Sequence, residues 1–146
     1  MDTLTMMQKA ISELHRVFIS VKDYLEKKKP MEKAKSLDID YTNPDQEFYL
    51  RNFMEFGQLM STVQIGLDYI DRPVRKQGQL VFDFSEGKYE LDGEYIEEGT
   101  LFEAMVDGLW YIVRMKKKAA MEYCILNVVK QTEYDVELKG LTVRMR

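Results

Sequence analysis

The feature that most limits what this chain can fold into is a change of hydrophobic period near Gly78. Before it, apolar residues recur every three or four positions. After it, they alternate. The first pattern belongs to helices with one apolar stripe, the second to half-buried strands. One such change within 146 residues predicts an α+β chain with helices first and a sheet after them. The expected domains are a helical one over residues 1–76 and a small β domain over 77–146.

In the first half, Leu4, Met7, Ile11, Leu14, Phe18, Val21 and Leu25 form an unbroken a/d seam. Asp2 or Thr3 suits its N-cap, Lys27, Lys28 and Lys29 suit the negative end of its dipole, and Pro30 discourages continuation. Residues 30–43 read as a connection. A second helix is then announced by Asn43 as N-cap, Pro44 at the first helical position, and Asp45 and Glu47 in the first turn. Tyr49, Phe53, Phe56, Met60, Val63, Leu67 and Ile70 carry its seam until Arg72 and Pro73 end the pattern. Helices of about 27 residues would each be ~40 Å long. Two matched seams joined by one connection predict an antiparallel, coiled-coil-like helical hairpin. Phe48, Leu50, Ile65 and Tyr69 lie off the second seam and leave apolar surface for a third element.

After Gly78, Leu80, Phe82 and Phe84 alternate, KYEL follows, and Asp92-Gly93 is a hairpin turn signal. The clearest hairpin turns at Asp107-Gly108. Its register sets Val106 against Leu109, Ala104 against Tyr111 and Phe102 against Val113, an apolar face expected to form the core. The opposite face pairs Met105 with Trp110, Glu103 with Ile112 and Leu101 with Arg114. Residues 121–129 read as another strand, and VEL-KG-LTVRM as a closing hairpin. Five to seven short strands with tight turns predict a small SH3-like antiparallel β-barrel or highly curved sheet.

Charge is distributed unevenly over these halves. Residues 1–76 carry 12 acids and 12 bases, whereas residues 77–146 carry 13 acids and 9 bases. Nine of those acids fall between Asp83 and Asp107, against the single cation Lys88. Such a stretch repels phosphates and attracts basic protein surfaces. Acids at Glu90, Asp92, Glu94, Glu97 and Glu98 would line a strand edge, alternate residues lying about 6.6 Å apart. One reading is a solvated, blunted edge. The other is a surface matched to a basic cleft.

Catalytic chemistry has little to stand on. His15 is the only histidine and Cys124 the only cysteine. A zinc site lacks ligands, an intrachain disulfide lacks a partner, and a cysteine nucleophile has only His15 as a base. Phosphate-binding glycine spacings and EF-hand spacing are missing. No metal, cofactor or enzymatic activity is expected. Three basic runs, Lys27–Lys29 with Lys33 and Lys35, Arg72 with Arg75 and Lys76, and Lys116–Lys118, sit at helix ends and turns, where solvated lysines are ordinary. With no recognition helix and no aromatic RNA-binding signature, direct nucleic acid binding is disfavoured. No apolar run approaches the roughly 20 residues that cross a bilayer, and Met-Asp-Thr-Leu-Thr opens no signal peptide. A cytoplasmic location is expected.

GKYEL at 87–91, Trp110 with Arg114 four residues on, and the terminal LKGLTVRMR resemble a family of small, uncharacterised proteins of Gram-positive bacteria, carried on conjugative elements, plasmids and phages. The resemblance covers about residues 80–146. It implies a small β-barrel and a mobile-element setting in a bacterial cell, and supplies no catalytic residue. Joined to the acidic stretch, it leads to the expectation of a stoichiometric, anti-CRISPR-like inhibitor. Such a protein would dock on the basic surface of a nucleic-acid-binding host protein, as on an RNA-guided nuclease with its cationic strand channel. The residues expected to bind that partner are Glu86, Glu90, Asp92, Glu94, Glu97, Glu98, Glu103, Asp107 and Trp110. Trp110 has two readings, a residue packed against the helices or an anchor rimmed by charge. The alternatives are a module that self-associates as a homodimer through its helices, and a nucleic-acid-binding accessory protein.

Overall fold

The computed structural model describes residues 2–28, 40 and 42–146. They fall in two compact units, Met1–Asp68 and Tyr69–Arg146. Most of the expected 30–43 connection, with Pro30, Lys29, Lys33 and Lys35, lies outside the described residues. So do the side chains of Phe18, Val21, Leu25, Lys27, Lys28, Leu50 and Phe53.

In the first unit α1 spans Thr3–Lys28. Asp2 caps it: Thr5 N–H donates to Asp2 Oδ1 (2.8 Å), and the Thr5 hydroxyl donates to Oδ2 (3.1 Å). These bonds, the backbone one first, hold the Asp2 carboxyl below its ordinary range. Helix α2 spans Pro44–Ile70. Asn43 Oδ1 accepts from the N–H groups of Asp45 (3.0 Å) and Gln46 (3.3 Å), which would otherwise be orphaned at the helix start.

The matched antiparallel hairpin expected from the two seams is not the arrangement found. The seam residues Leu4, Met7, Leu14, Tyr49 and Phe56 are exposed. The half-buried His15 places Nε2 2.5 Å from Asp68 Oδ1, and Gln64 Nε2 donates to the same oxygen at 2.9 Å. A hairpin closing directly over the connection would put His15 near Gly57, some eleven residues or ~16 Å along α2 from Asp68. A stripe of period 3.5 says that a helix has an apolar side. It does not say in which register another helix meets it.

The second unit holds eight strands: β1 (Lys76–Gln79), β2 (Val81–Asp83), β3 (Lys88–Leu91), β4 (Glu94–Tyr95), β5 (Leu101–Val106), β6 (Leu109–Ala119), β7 (Glu122–Asn127) and β8 (Thr142–Met145). They make two open antiparallel sheets, one ordered β1-β8-β5-β6-β7 and one ordered β2-β3-β4. The expected SH3-like barrel therefore does not form. Its closure would need β1 to pair with β7. Instead the chain leaves β1 for the small sheet, with Leu80 bonded to the 140–141 turn (2.9 Å each way). The β7 edge is taken by the segment that follows it: Asn127 N–H donates to Thr132 O, Tyr134 N–H to Ile125 O, and Leu126 bridges Glu133.

The β5–β6 hairpin has the predicted register at all six pairs, from Leu101 with Arg114 to Val106 with Leu109. Its turn is Asp107-Gly108 at φ 50° and 79°; Asp92-Gly93 turns β3 into β4 at 49° and 79°. Two successive positive φ values are what the right-handed twist of a two-residue hairpin requires. The closing VEL-KG-LTVRM hairpin is absent, since β8 pairs with β1 and β5 and residues 135–139 form no strand. Strand β1, KQGQ, was hidden in the sequence because it is polar throughout. Its pairing with β8 gives it a place that alternation could not signal. Gly78 serves that packing, because a Cβ there would come within 3.2 Å of Leu91 Cδ1.

Both sheets share one core. Leu91 from the small sheet and Leu80 and Ile96 beside it join Phe102, Ala104, Val106, Val113, Met115, Ile125, Leu138, Val143 and Met145. Cys124, buried on β7, has its thiol pushed up chiefly by burial.

Candidate protein-interaction surface

The small sheet has two unlike faces. Phe82, Tyr89 and Leu91 point to the core side, where Phe82 and Tyr89 stack edge-on at 4.8 Å. Period two then assigns Val81, Asp83, Lys88, Glu90 and Tyr95 to the outer face. Register confirms it: Val81 lies opposite Glu90, Glu90 opposite Tyr95, and Asp83 opposite Lys88. Val81 is 54% exposed and Tyr95 37% exposed.

Hydrogen bonds fix this face. The Tyr95 hydroxyl donates to Asp83 Oδ2 at 2.6 Å, while Ser85 donates to Asp83 Oδ1 from its N–H (2.9 Å) and hydroxyl (2.7 Å). Those bonds, that from Tyr95 first, lower the Asp83 carboxyl to about 2. In return the bond to Asp83, reinforced by the charges of Asp83, Glu86 and Glu90, pushes the Tyr95 phenol up to about 12. Lys88 Nζ donates to Glu97 Oε1 at 2.9 Å and stands 5.6 Å from the Tyr95 ring centroid. Among the described residues, Glu86 and Glu90 form no salt bridge.

The acidic stretch is thus divided by the fold. Glu94 receives both Arg75 guanidinium nitrogens (2.6 and 2.8 Å) and Lys76 (3.2 Å), and these, Arg75 first, lower its carboxyl to about 2. Glu97 is engaged by Lys88. Glu98 accepts a long bond from Lys117 N–H at 3.4 Å. Asp92 and Asp107 sit exposed at hairpin tips. Glu103 lies buried on β5. It is 4% exposed, and Arg144 (2.9 Å) and Arg146 (3.1 and 3.2 Å) donate to its carboxylate. Trp110 is half-buried, with the Arg144 guanidinium 4.3 Å from its ring centroid. Of the expected edge of Glu90, Asp92, Glu94, Glu97 and Glu98, only Glu94 and Glu97 are paired with cations among the described residues, Glu94 with Arg75 and Lys76 and Glu97 with Lys88. Among the described residues, Asp83, Glu86, Glu90, Asp92, Glu98 and Asp107 form no salt bridge and supply the remaining negative field.

The sequence reading missed Val81, Asp83 and Tyr95. The signal was present for the first two, since assigning Leu80 and Phe82 inward sends Val81 and Asp83 outward. Tyr95 had no such signal, because β4 is two residues long.

The basic runs are partly absorbed as well. Arg75 and Lys76 serve Glu94, and Lys118 donates to Glu133 at 2.9 Å. Among the described residues no group of three or more His, Cys, Asp or Glu is placed to hold a metal ion. No described helix is long and apolar enough to cross a membrane. Comparison with family models, curated proteins and solved structures finds no match to this chain.

Proposed function

We propose that the chain is a non-enzymatic binding protein that docks the outer face of the small sheet on a basic surface of a nucleic-acid-handling protein. The observation that carries this is the survival of Glu86 and Glu90 without ion pairs beside exposed Val81 and Tyr95. Apolar anchors within a charged rim suit a protein partner, and the negative field speeds encounter with a cationic one. The resemblance to a mobile-element family supplies the concrete case, a stoichiometric anti-CRISPR-like inhibitor of an RNA-guided nuclease.

The test is cleavage by a purified, guide-loaded RNA-guided nuclease titrated with this protein. Inhibition should reach its end point near one equivalent, weaken at high salt, and vanish in the double variant Glu86→Lys/Glu90→Lys. Full cleavage at tenfold excess, or inhibition indifferent to both charge reversals, would remove the reading.

A second reading, self-association, is favoured by the helices. Leu4, Met7, Leu14, Tyr49, Phe56 and Leu59 are exposed, and apolar side chains on a helix surface can serve as an association face. Light scattering across a concentration series decides it, because a strict monomer at every concentration excludes a homodimer.

A further inference from the structure

We infer that the residue this face takes from its partner is an arginine, laid across the strands over Val81, Glu90 and Tyr95. The inference rests on the docking function proposed above and adds the chemistry of the contact.

Val81, Glu90 and Tyr95 form one cross-strand row. Neighbouring strands lie about 4.8 Å apart, so the row is about 10 Å long. It presents an aliphatic contact, a carboxylate without an ion pair and an aromatic ring that leans back across β3 toward Asp83. A long side chain with an apolar stem and a planar cationic head is complementary to it. The stem covers Val81, the head forks onto Glu90, and its plane stacks on Tyr95. The ring is preorganised, because its hydroxyl is tied to Asp83, which Ser85 holds in turn.

The face already seats a cation of its own. Lys88 stands over the same ring while bound to Glu97. A second lysine arriving from a partner would add only a point charge beside the first. A guanidinium gains what an ammonium lacks, the bidentate fork and the stacked plane. The face therefore selects arginine over lysine, and Lys88 acts as a competitor in cis.

The experiment is fluorescence anisotropy of labelled hexa-arginine and hexa-lysine peptides, equal in charge, with the full chain at low salt. Hexa-arginine should bind tighter by about fivefold, the scale of one exposed cation–π contact. Tyr95→Leu should bring hexa-arginine down to the hexa-lysine level, Tyr95→Phe should keep the preference, and Lys88→Gln should strengthen both. Should Tyr95→Leu fail to fold by circular dichroism, Glu90→Gln serves instead, and is expected to weaken hexa-arginine more than hexa-lysine. Equal affinities, or a preference that survives both Tyr95→Leu and Glu90→Gln, would overturn the arginine assignment and leave acidic docking standing. If neither peptide binds, or both bind Glu86→Lys/Glu90→Lys as well as the native chain, the docking reading falls and the arginine seat falls with it.

Discussion

Glu103 shows how little a residue's type says about its task. By sequence it is one acid among nine. In the fold it is buried beneath two guanidinium groups, and Arg146 also donates to the carbonyl oxygens of Ile70 (3.2 Å) and Arg72 (2.9 Å). The cluster thus ties the last strand to the chain following α2. Its charge, after the larger effect of burial, helps push the nearby Tyr69 phenol up to about 12. Removing one member of a buried pair leaves the others uncompensated, typically at a cost of ~3–5 kcal/mol. Glu103→Ala should therefore lower stability by about that much in urea unfolding, whereas the exposed Asp107→Ala should cost far less. Near-equal midpoints for the two variants would show that Glu103 is no more structural than its neighbours.

At the scale of elements, turn chemistry was the most legible part of the sequence. Asp-Gly pairs at 92–93 and 107–108 fixed two hairpins, and with the second came the β5–β6 register. Gly108 has open space where a Cβ would go, so only its φ of 79° resists substitution. Gly108→Ala should cost about 1–2 kcal/mol, the penalty of a left-handed conformation. A thermal melt unchanged from the native chain would mean that the turn reshapes at no cost. The helix caps were legible for the same local reason. Asp2→Ala should lower stability slightly and reduce the far-ultraviolet helix signal as α1 frays. Strand β1 and the missing terminal hairpin were illegible because each depends on β8, a partner more than 60 residues from β1 and not adjacent to residues 135–139 in the sheet.

The whole molecule has a predictable response to acid. The folded carboxyls of Asp83 and Glu94 sit at about 2, below ordinary values of 3.8 and 4.5. Protonation therefore favours the unfolded chain. The stabilisation from both groups is present above about pH 4.5 and is lost progressively as pH falls toward 2. Both groups hold the small sheet, so the Ile96 amide, which donates to Tyr89 O (2.9 Å), should lose hydrogen-exchange protection before the β5–β6 hairpin does. Simultaneous loss across both sheets would contradict this order. The shared core is drawn from residues 80–145, within one compact unit. A fragment of residues 69–146 should accordingly melt cooperatively with a native-like near-ultraviolet signal at Trp110. A featureless melt would show that the first 68 residues are needed to fold it.

By itself the sequence determined what is local. Helix and strand periods, the caps at Asp2 and Asn43, the Asp-Gly turns and the β5–β6 register each follow from residues close together along the chain. Such residues are neighbours whatever else the chain does. Only the tertiary structure decided which seams meet, whether the strands close, and which acids keep their charge. Those depend on pairs such as Arg75 with Glu94, Arg144 with Glu103 and His15 with Asp68. The acidic stretch looked uniform because most of the cations that pair with three of its nine acids, Glu94, Glu97 and Glu103, come from outside it. What remains negative on the outer sheet face is the remainder after folding, which composition alone does not specify.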